Sequence, residues 1–207
     1  MPKKRLPVAP PEAEPPLELR IATALHKIGL AQKHETWTAA SEEGVSPTQG
    51  QILAAVAGDG ALTGSELAAR LGVTLPTVSD AVRVLVDKGL VVKKPDPRHP
   101  RASLVALTPR GRTLAAKARS WPELLATAVS AMSAGEQEVF HAGLLKMIRA
   151  LQESGRIPVS RMCITCRYFA PDVHEGERPH HCKLVDAPMG ARDLRLDCKE
   201  HEEAPAA

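Results

Sequence analysis

A succession of helix-start signals, interrupted once by two β-prone runs, restricts this chain to a mainly α fold carrying one small hairpin. Ser46, Pro47 and Gln49 occupy the cap, first and third positions of a helix. Thr63 with Glu66, and Ser133 with Glu136, repeat the capping-box spacing. Thr74 caps a helix expected to run through Lys88, and Thr108 with Pro109 opens another. The stops are Gly58, Gly60, Gly72 and the pair Lys88 and Gly89. Residues 89–94 and 101–107 are β-prone runs on either side of a polar, proline-rich turn at 95–100, which predicts a hairpin. Its prolines suit an exposed tip, because they cannot donate to a strand ladder. The order is four helices, the hairpin and two more helices, without internal repeat.

Composition agrees. Among 207 residues there are two Phe, two Trp and one Tyr against 31 Ala, so helices pack through small side chains and a β-sandwich is excluded. No apolar run approaches the roughly 18 residues of a membrane span, so no membrane partner is expected. The N-terminus, MPKKRLPV, lacks the apolar centre of a signal peptide, which points to a cytoplasmic protein. Residues 1–16 hold six prolines and the basic triplet Lys3, Lys4 and Arg5, and read as a disordered arm. The expected organisation is that arm, a folded domain over 17–154, and a cysteine-bearing tail over 155–207.

Residues 62–107 read as one unit. A short helix at 64–71 turns Leu67, Ala68 and Leu71 to one side, and a turn at Gly72 and Val73 leads to a second helix. There Val78, Ala81, Val82, Leu85 and Val86 form the inward face. Pro76, Thr77, Ser79, Asp80, Arg83 and Asp87 form the outward one. A polar helix held proud of a core is the shape that enters a major groove. The hairpin adds Lys93, Lys94, Arg98 and Arg101 beside it. Between Thr63 and Arg112 nine Lys and Arg face four Asp and Glu, an excess greater than the +3 of the whole chain. Such cations release counterions from phosphates, so affinity should fall with salt. Thr74, Pro76, Thr77, Ser79, Arg83, Lys93, Lys94, Arg98 and Arg101 are the expected DNA-binding residues.

LAARLGVTLPTVS at 67–79, LVDKGL at 85–90, DPRHPR at 96–101 and LTPRG at 107–111 together resemble the MarR family of winged-helix regulators over about residues 17–153. The resemblance implies a winged helix-turn-helix whose terminal helices dimerise. It implies a homodimer on a pseudo-palindromic double-stranded DNA operator, with recognition helices in successive major grooves and wing arginines at the minor groove. It also implies a small aromatic or phenolic effector between the terminal helices and the winged domains. There are two departures. The family often has Asp followed by two Arg at the wing tip, where this chain has His99, Pro100 and Arg101, so Arg98 serves as a substitute. Asp80 stands where a basic or polar residue is common, and would either repel phosphate or accept from a cytosine amino group.

Three apolar stripes suit the terminal helices. They are Ile21, Leu25 and Ile28; Leu114, Ala118, Trp121, Leu125, Ala128 and Met132; and Phe140, Leu144, Met147, Ile148 and Leu151. Part of each packs within the chain, and the resemblance assigns the rest to the partner subunit. Pro122 predicts a kink. His26, His34 and His141 read as surface or packing residues.

The four cysteines, Cys163, Cys166, Cys182 and Cys198, form a Cx2C-x15-C-x15-C array confined to the tail. Without an export signal this spacing indicates a metal site or thiol chemistry. Pro171, Pro179 and Pro188 and few apolar residues mean that the segment needs a bound centre to fold. With Tyr168 and Phe169 beside the pair, the array is loosely similar to four-iron high-potential ferredoxins, which implies an iron–sulfur cluster. Zinc is the alternative, with His180, His181 or His201 replacing a thiolate, and a metal-free thiol switch is a third reading. The expected function is a transcription regulator sensing redox or metal state through the tail. A static zinc brace, or an electron carrier, are the other readings. No phosphate loop, dinucleotide-binding glycine pattern, His-Glu-x-x-His or nucleophile elbow points to an enzyme.

Overall fold

The computed structural model describes residues 14–97, 99, 102–121 and 123–204. Of the arm expected at 1–16, residues 1–13 lie outside the described residues.

The capping residues start the helices they were expected to start. After α1 (Leu17–Glu42), the Ser46 hydroxyl accepts from the Gln49 N–H at 3.2 Å, and the Gln49 side chain accepts from the Ser46 N–H at 3.1 Å, opening α2 (Pro47–Asp59). Thr63 and Glu66 close the same box over α3 (Gly64–Leu71), and Thr74 caps α4 (Leu75–Asp87). Gly72, in the left-handed region at φ 64°, ends α3 and makes the turn to α4. Thr108 caps α5 (Pro109–Ser120), α6 (Glu123–Ser130) follows, and Ser133 and Glu136 box α7 (Ala134–Glu153). The break between α5 and α6 is where a kink was expected. Pro122 itself lies outside the described residues.

The hairpin is β2 (Val91–Pro95) paired antiparallel with β3 (Ser103–Leu107), in register from Val91 opposite Leu107 to Pro95 opposite Ser103. A two-residue strand, β1 (Leu62–Thr63), adds to its other edge, giving the order β1-β3-β2. Two residues carry no periodicity, and Thr63 also reads as a cap, so this strand was not foreseen. The architecture is the mainly helical, winged helix-turn-helix that the sequence predicts.

The core sits between α2, α3, α4, the hairpin and α5, around Ile52, Leu53, Leu67, Val78, Leu85 and Val105. Leu114 and Trp121 of the stripe along α5 pack into it, and Ala118 between them is buried. A Cβ on Gly50 would fall 2.1 Å from the Trp121 ring, so a glycine in α2 is what admits the indole. Val86 differs from expectation and is 39% exposed. At about 100° per residue it lies roughly 80° round from Val78, at the margin of the buried face.

Beyond α7 the tail forms a second small sheet, order β4-β5-β6, from β4 (Phe169–Ala170), β5 (His180–Cys182) and β6 (Ala187–Met189). Leu145 of α7 is buried with Met162 and Leu194, and Ile148, Ile164, Phe169 and Met189 pack around them. Leu145 was not among the residues picked from the α7 stripe. Phe140, Met147 and Leu151 stay exposed, as do Leu17, Leu19, Ile21, Ile28 and Leu30 of α1.

Candidate nucleic-acid interface and four-cysteine site

Helix α4 rests on Val78, Ala81, Val82 and Leu85, and this seating turns the opposite side outward. Thr74, Pro76, Thr77, Ser79 and Arg83 are all exposed. The hydroxyls of Thr74 and Thr77 are 2.8 Å apart, and the Thr74 oxygen also takes the Thr77 N–H at 3.3 Å. These two residues therefore close the helix start as well as facing outward. Arg83 donates to Asp80 at 3.2 Å, one turn away, with both side chains well exposed. Asp80 thus neither stands alone nor leaves Arg83 unguided: the carboxylate aims the guanidinium and reduces its net charge.

Lys93 and Lys94 are exposed on β2; as neighbours on a strand they point to opposite faces, and Lys94 borders a cleft with Val56, Ala57, Arg112 and Arg119. Asp96, at the root of the hairpin tip, is 2% exposed. Arg98 and Arg101 lie outside the described residues. Not every cation counted from the sequence faces outward in the same way. Lys88 donates to the carbonyl of Gly44, Arg110 to that of Lys88 and Arg112 to that of Leu107. Arg70 pairs with Asp59 and Asp197.

The four cysteines, 163, 166, 182 and 198, are free thiols, each partly buried, and all four line one cavity of about 30 Å³ together with Tyr168, Phe169, Leu184 and Met189. A 3-10 turn at Cys163–Thr165 and strand β5 bring three of them there, and the 195–198 segment brings the fourth. Cys163 N–H donates to the Arg195 carbonyl at 3.0 Å, and Arg195 N–H donates back to Cys163 Sγ at 3.2 Å. Burial pushes the Cys163 thiol up, the Arg195 N–H works against this, and the other three cysteines add to the rise. The histidines named as alternative ligands are engaged elsewhere. His201 Nε2 is 3.0 Å from the Thr165 hydroxyl, His180 takes the Asp172 N–H at 3.2 Å, and His181 lies between His174 and Asp186. Among the described residues, no group of three or more His, Cys, Asp or Glu stands gathered to hold a metal ion.

Residues 43–102 match the model of the MarR family. The structure superposes on a MarR family transcription regulator with a TM-score of 0.61 at 21% identity, covering 68% of this chain and 93% of that one. It is similar to Staphylococcus aureus MepR in its DNA-binding conformation, and to the MepR–DNA complex, each with a TM-score of 0.57 and 28% identity. Those two likenesses cover 63% of this chain and 98% and 97% of theirs. The fold is that of the MarR-type winged-helix regulators. No curated protein matches the sequence.

The MarR-type unit and the tail meet in an ion cluster that sequence reasoning missed. Asp59 ends α2, Arg70 lies in the last turn of α3, and Arg161 and Asp197 lie two residues before Cys163 and one before Cys198. Paired residues are up to 127 apart in the chain, and no local spacing signals them. A cleft of about 1090 Å³ runs beside the cluster between α3 and residues 155–161. Asp197 is held below the ordinary carboxylate range, first by the Arg161 hydrogen bond, and the same bond raises Arg161. Among the described residues, no helix is long and apolar enough to cross a membrane.

Proposed function

We propose that this chain is a sequence-specific, DNA-binding transcription regulator acting as a homodimer. The observation that carries the reading is the exposed face of α4, with Thr74, Pro76, Thr77, Ser79 and Arg83 beside Lys93 and Lys94 of the hairpin. Helix α4 enters the major groove with these side chains toward base edges, and the hairpin lies along the adjoining backbone. Arg98 and Arg101 are the expected minor-groove contacts at its tip. The likeness to MepR, solved in complex with DNA, supports this reading. The exposed apolar faces of α1 and α7 support the dimer, since side chains such as Leu19, Ile21, Phe140 and Met147 find no cover within one chain. Selection of duplexes from a random-sequence library at low salt tests it. Expected is a two-fold related site, with an affinity whose salt slope drops by about 0.9 for each phosphate contact removed. Failure to enrich any duplex with folded protein overturns the reading.

The four-cysteine site holds an iron–sulfur cluster, and its state sets operator affinity. Four thiols line the cavity with Glu200 and no histidine, which favours ligation by sulfur. A cluster supplies electron-transfer and ligand-loss chemistry when bound. The Arg195 N–H on Cys163 Sγ is the kind of donor that steadies a thiolate ligand. Anaerobic purification followed by iron, sulfide and zinc analysis decides between them, and zinc without iron overturns the cluster.

A further inference from the structure

The tail does not hang from α7. It returns to the back of the DNA-binding unit and touches three of its parts. At the end of α2, Lys199 Nζ donates to the Gly58 carbonyl at 2.9 Å, and Arg161 donates to both Asp59 oxygens at 3.2 and 3.3 Å. At the end of α3, Arg70 donates to Asp197 at 2.7 Å while also pairing with Asp59. At the turn between α3 and α4, a Cβ on Gly72 would fall 2.9 Å from the Pro158 ring, so the linker lies directly on the turn. Arg161 Nε donates to Asp197 at 2.6 Å and closes the cluster. The Asp59 and Arg70 side chains are only 12% and 29% exposed, so solvent screens these pairs less than it does an ordinary surface bridge.

The tail ends of this cluster are joined to cysteine ligands by backbone. Cys163 N–H donates to the Arg195 carbonyl, and Cys198 N–H donates to the Arg161 carbonyl at 2.8 Å. Residues 161–163 and 195–198 therefore lie side by side, with one cysteine in each. A centre that ties Cys163 to Cys198 fixes both segments, and with them the side chains of Arg161 and Asp197. An empty site leaves the two held by few bonds, because the tail core is only Leu145, Met162 and Leu194 with their neighbours. The outward face of α4 stays exposed with the tail in place, so the tail does not act by covering the DNA-binding surface.

We propose that Arg70, Asp59, Arg161 and Asp197 are the link by which filling of the four-cysteine site fixes the position of the helix-turn-helix and so sets its affinity for DNA. The link rests on the cluster reading given above and specifies how that site regulates the interface. Arg161 and Asp197 act as positioning residues, through α3 and the Gly72 turn, and touch neither the centre nor the duplex.

The test compares filled and anaerobically stripped full-length protein on a duplex selected with either form, at one salt concentration. For the unaltered chain the two affinities should differ by about tenfold or more. Arg70→Gln and Asp197→Asn should each bring that ratio close to one, with iron and sulfide content and visible absorption unchanged. Amide exchange in α3 of either filled variant should rise to the rate seen in the stripped parent. Asp197 neighbours a ligand, so if Asp197→Asn loses its centre, Arg70→Gln, which lies in the DNA-binding unit, decides. Variants that keep the parent's ratio overturn the link, as does a parent ratio of one with a filled site. A parent lacking iron and sulfide overturns the cluster reading and the link with it, and a filled parent that ignores all duplexes overturns the DNA reading. These results are distinct from a failed link.

Discussion

Among the described residues, sixteen buried apolar side chains between Ala40 and Ala115 form one continuous core, whereas the tail has three, one of them supplied by α7. In the first region α1, α3, α4 and α5 pack on α2, and α2, α3, α4 and α5 are each begun by their own side-chain cap. The second has strands of two or three residues and two turns that force Asp172 and Asp186 to φ of 52° and 50°, where a side chain is strained. A hydrophobic core scales with what it can bury, and about fifty residues with three buried side chains have too little of it. The difference teaches that the MarR-type unit has the core to fold on its own sequence, while the tail needs support from elsewhere: the surface it rests against and, on the proposed reading, a centre held by its cysteines.

The largest effect should come from emptying the four-cysteine site, by chelation or by Cys182→Ala. Hydrogen exchange should show residues 163–198 losing nearly all protection while α2, α4 and α5 keep theirs. Slow exchange surviving in the emptied tail would break the comparison. Next, Leu53→Ala should cost about 2 to 5 kcal/mol in denaturant unfolding of the winged unit. Leu145→Ala should loosen the tail by exchange and leave the midpoint of that unit close to its parent value.

A smaller loss, about 1 to 3 kcal/mol, is expected for Gly50→Ala, because the added methyl meets the Trp121 ring. Tryptophan fluorescence should move to longer wavelength as the indole is expelled, and an unmoved spectrum with full stability would remove that packing claim. The smallest effect concerns the start of α7. The Glu136 carboxyl is held below its usual range by the Ser133 hydroxyl and then by the Ser133 N–H. Its contribution is therefore complete above the ordinary Glu range and is lost as pH falls through the depressed value. Ser133→Ala should flatten this acid limb of the helix's stability, measured by amide exchange within α7.

The helix starts were legible because caps are local: Ser46 with Gln49, and Thr63 with Glu66, lie three residues apart and satisfy each other. Which face of α4 is buried and which is exposed was legible for the same kind of reason, since Val78, Ala81, Val82 and Leu85 recur at helical spacing. Val86 continued the pattern but sits where the buried stripe runs out. What distance along the chain conceals is partnership. Nothing around Gly50 says that Trp121 covers it, and nothing around Arg70 says that Asp197 arrives from the tail. The cysteine spacing set the tail apart from the helical unit and pointed to chemistry there, but it carried no signal of the tail's structure. Strands such as His180–Cys182 have no alternation to read, and Pro188 within β6 argues against a strand at all.

Pro158, Arg161 and Asp197 reach Gly72, Asp59 and Arg70 respectively, all of their own chain. If the proposed link holds, each half of the proposed dimer carries a private gauge wired to its own reading head, and neither half depends on its twin to be informed. A pair with one loaded and one vacant module is then a chemical species in its own right, holding one half-site with each setting. The stoichiometry of loading would be read out in steps of one protomer.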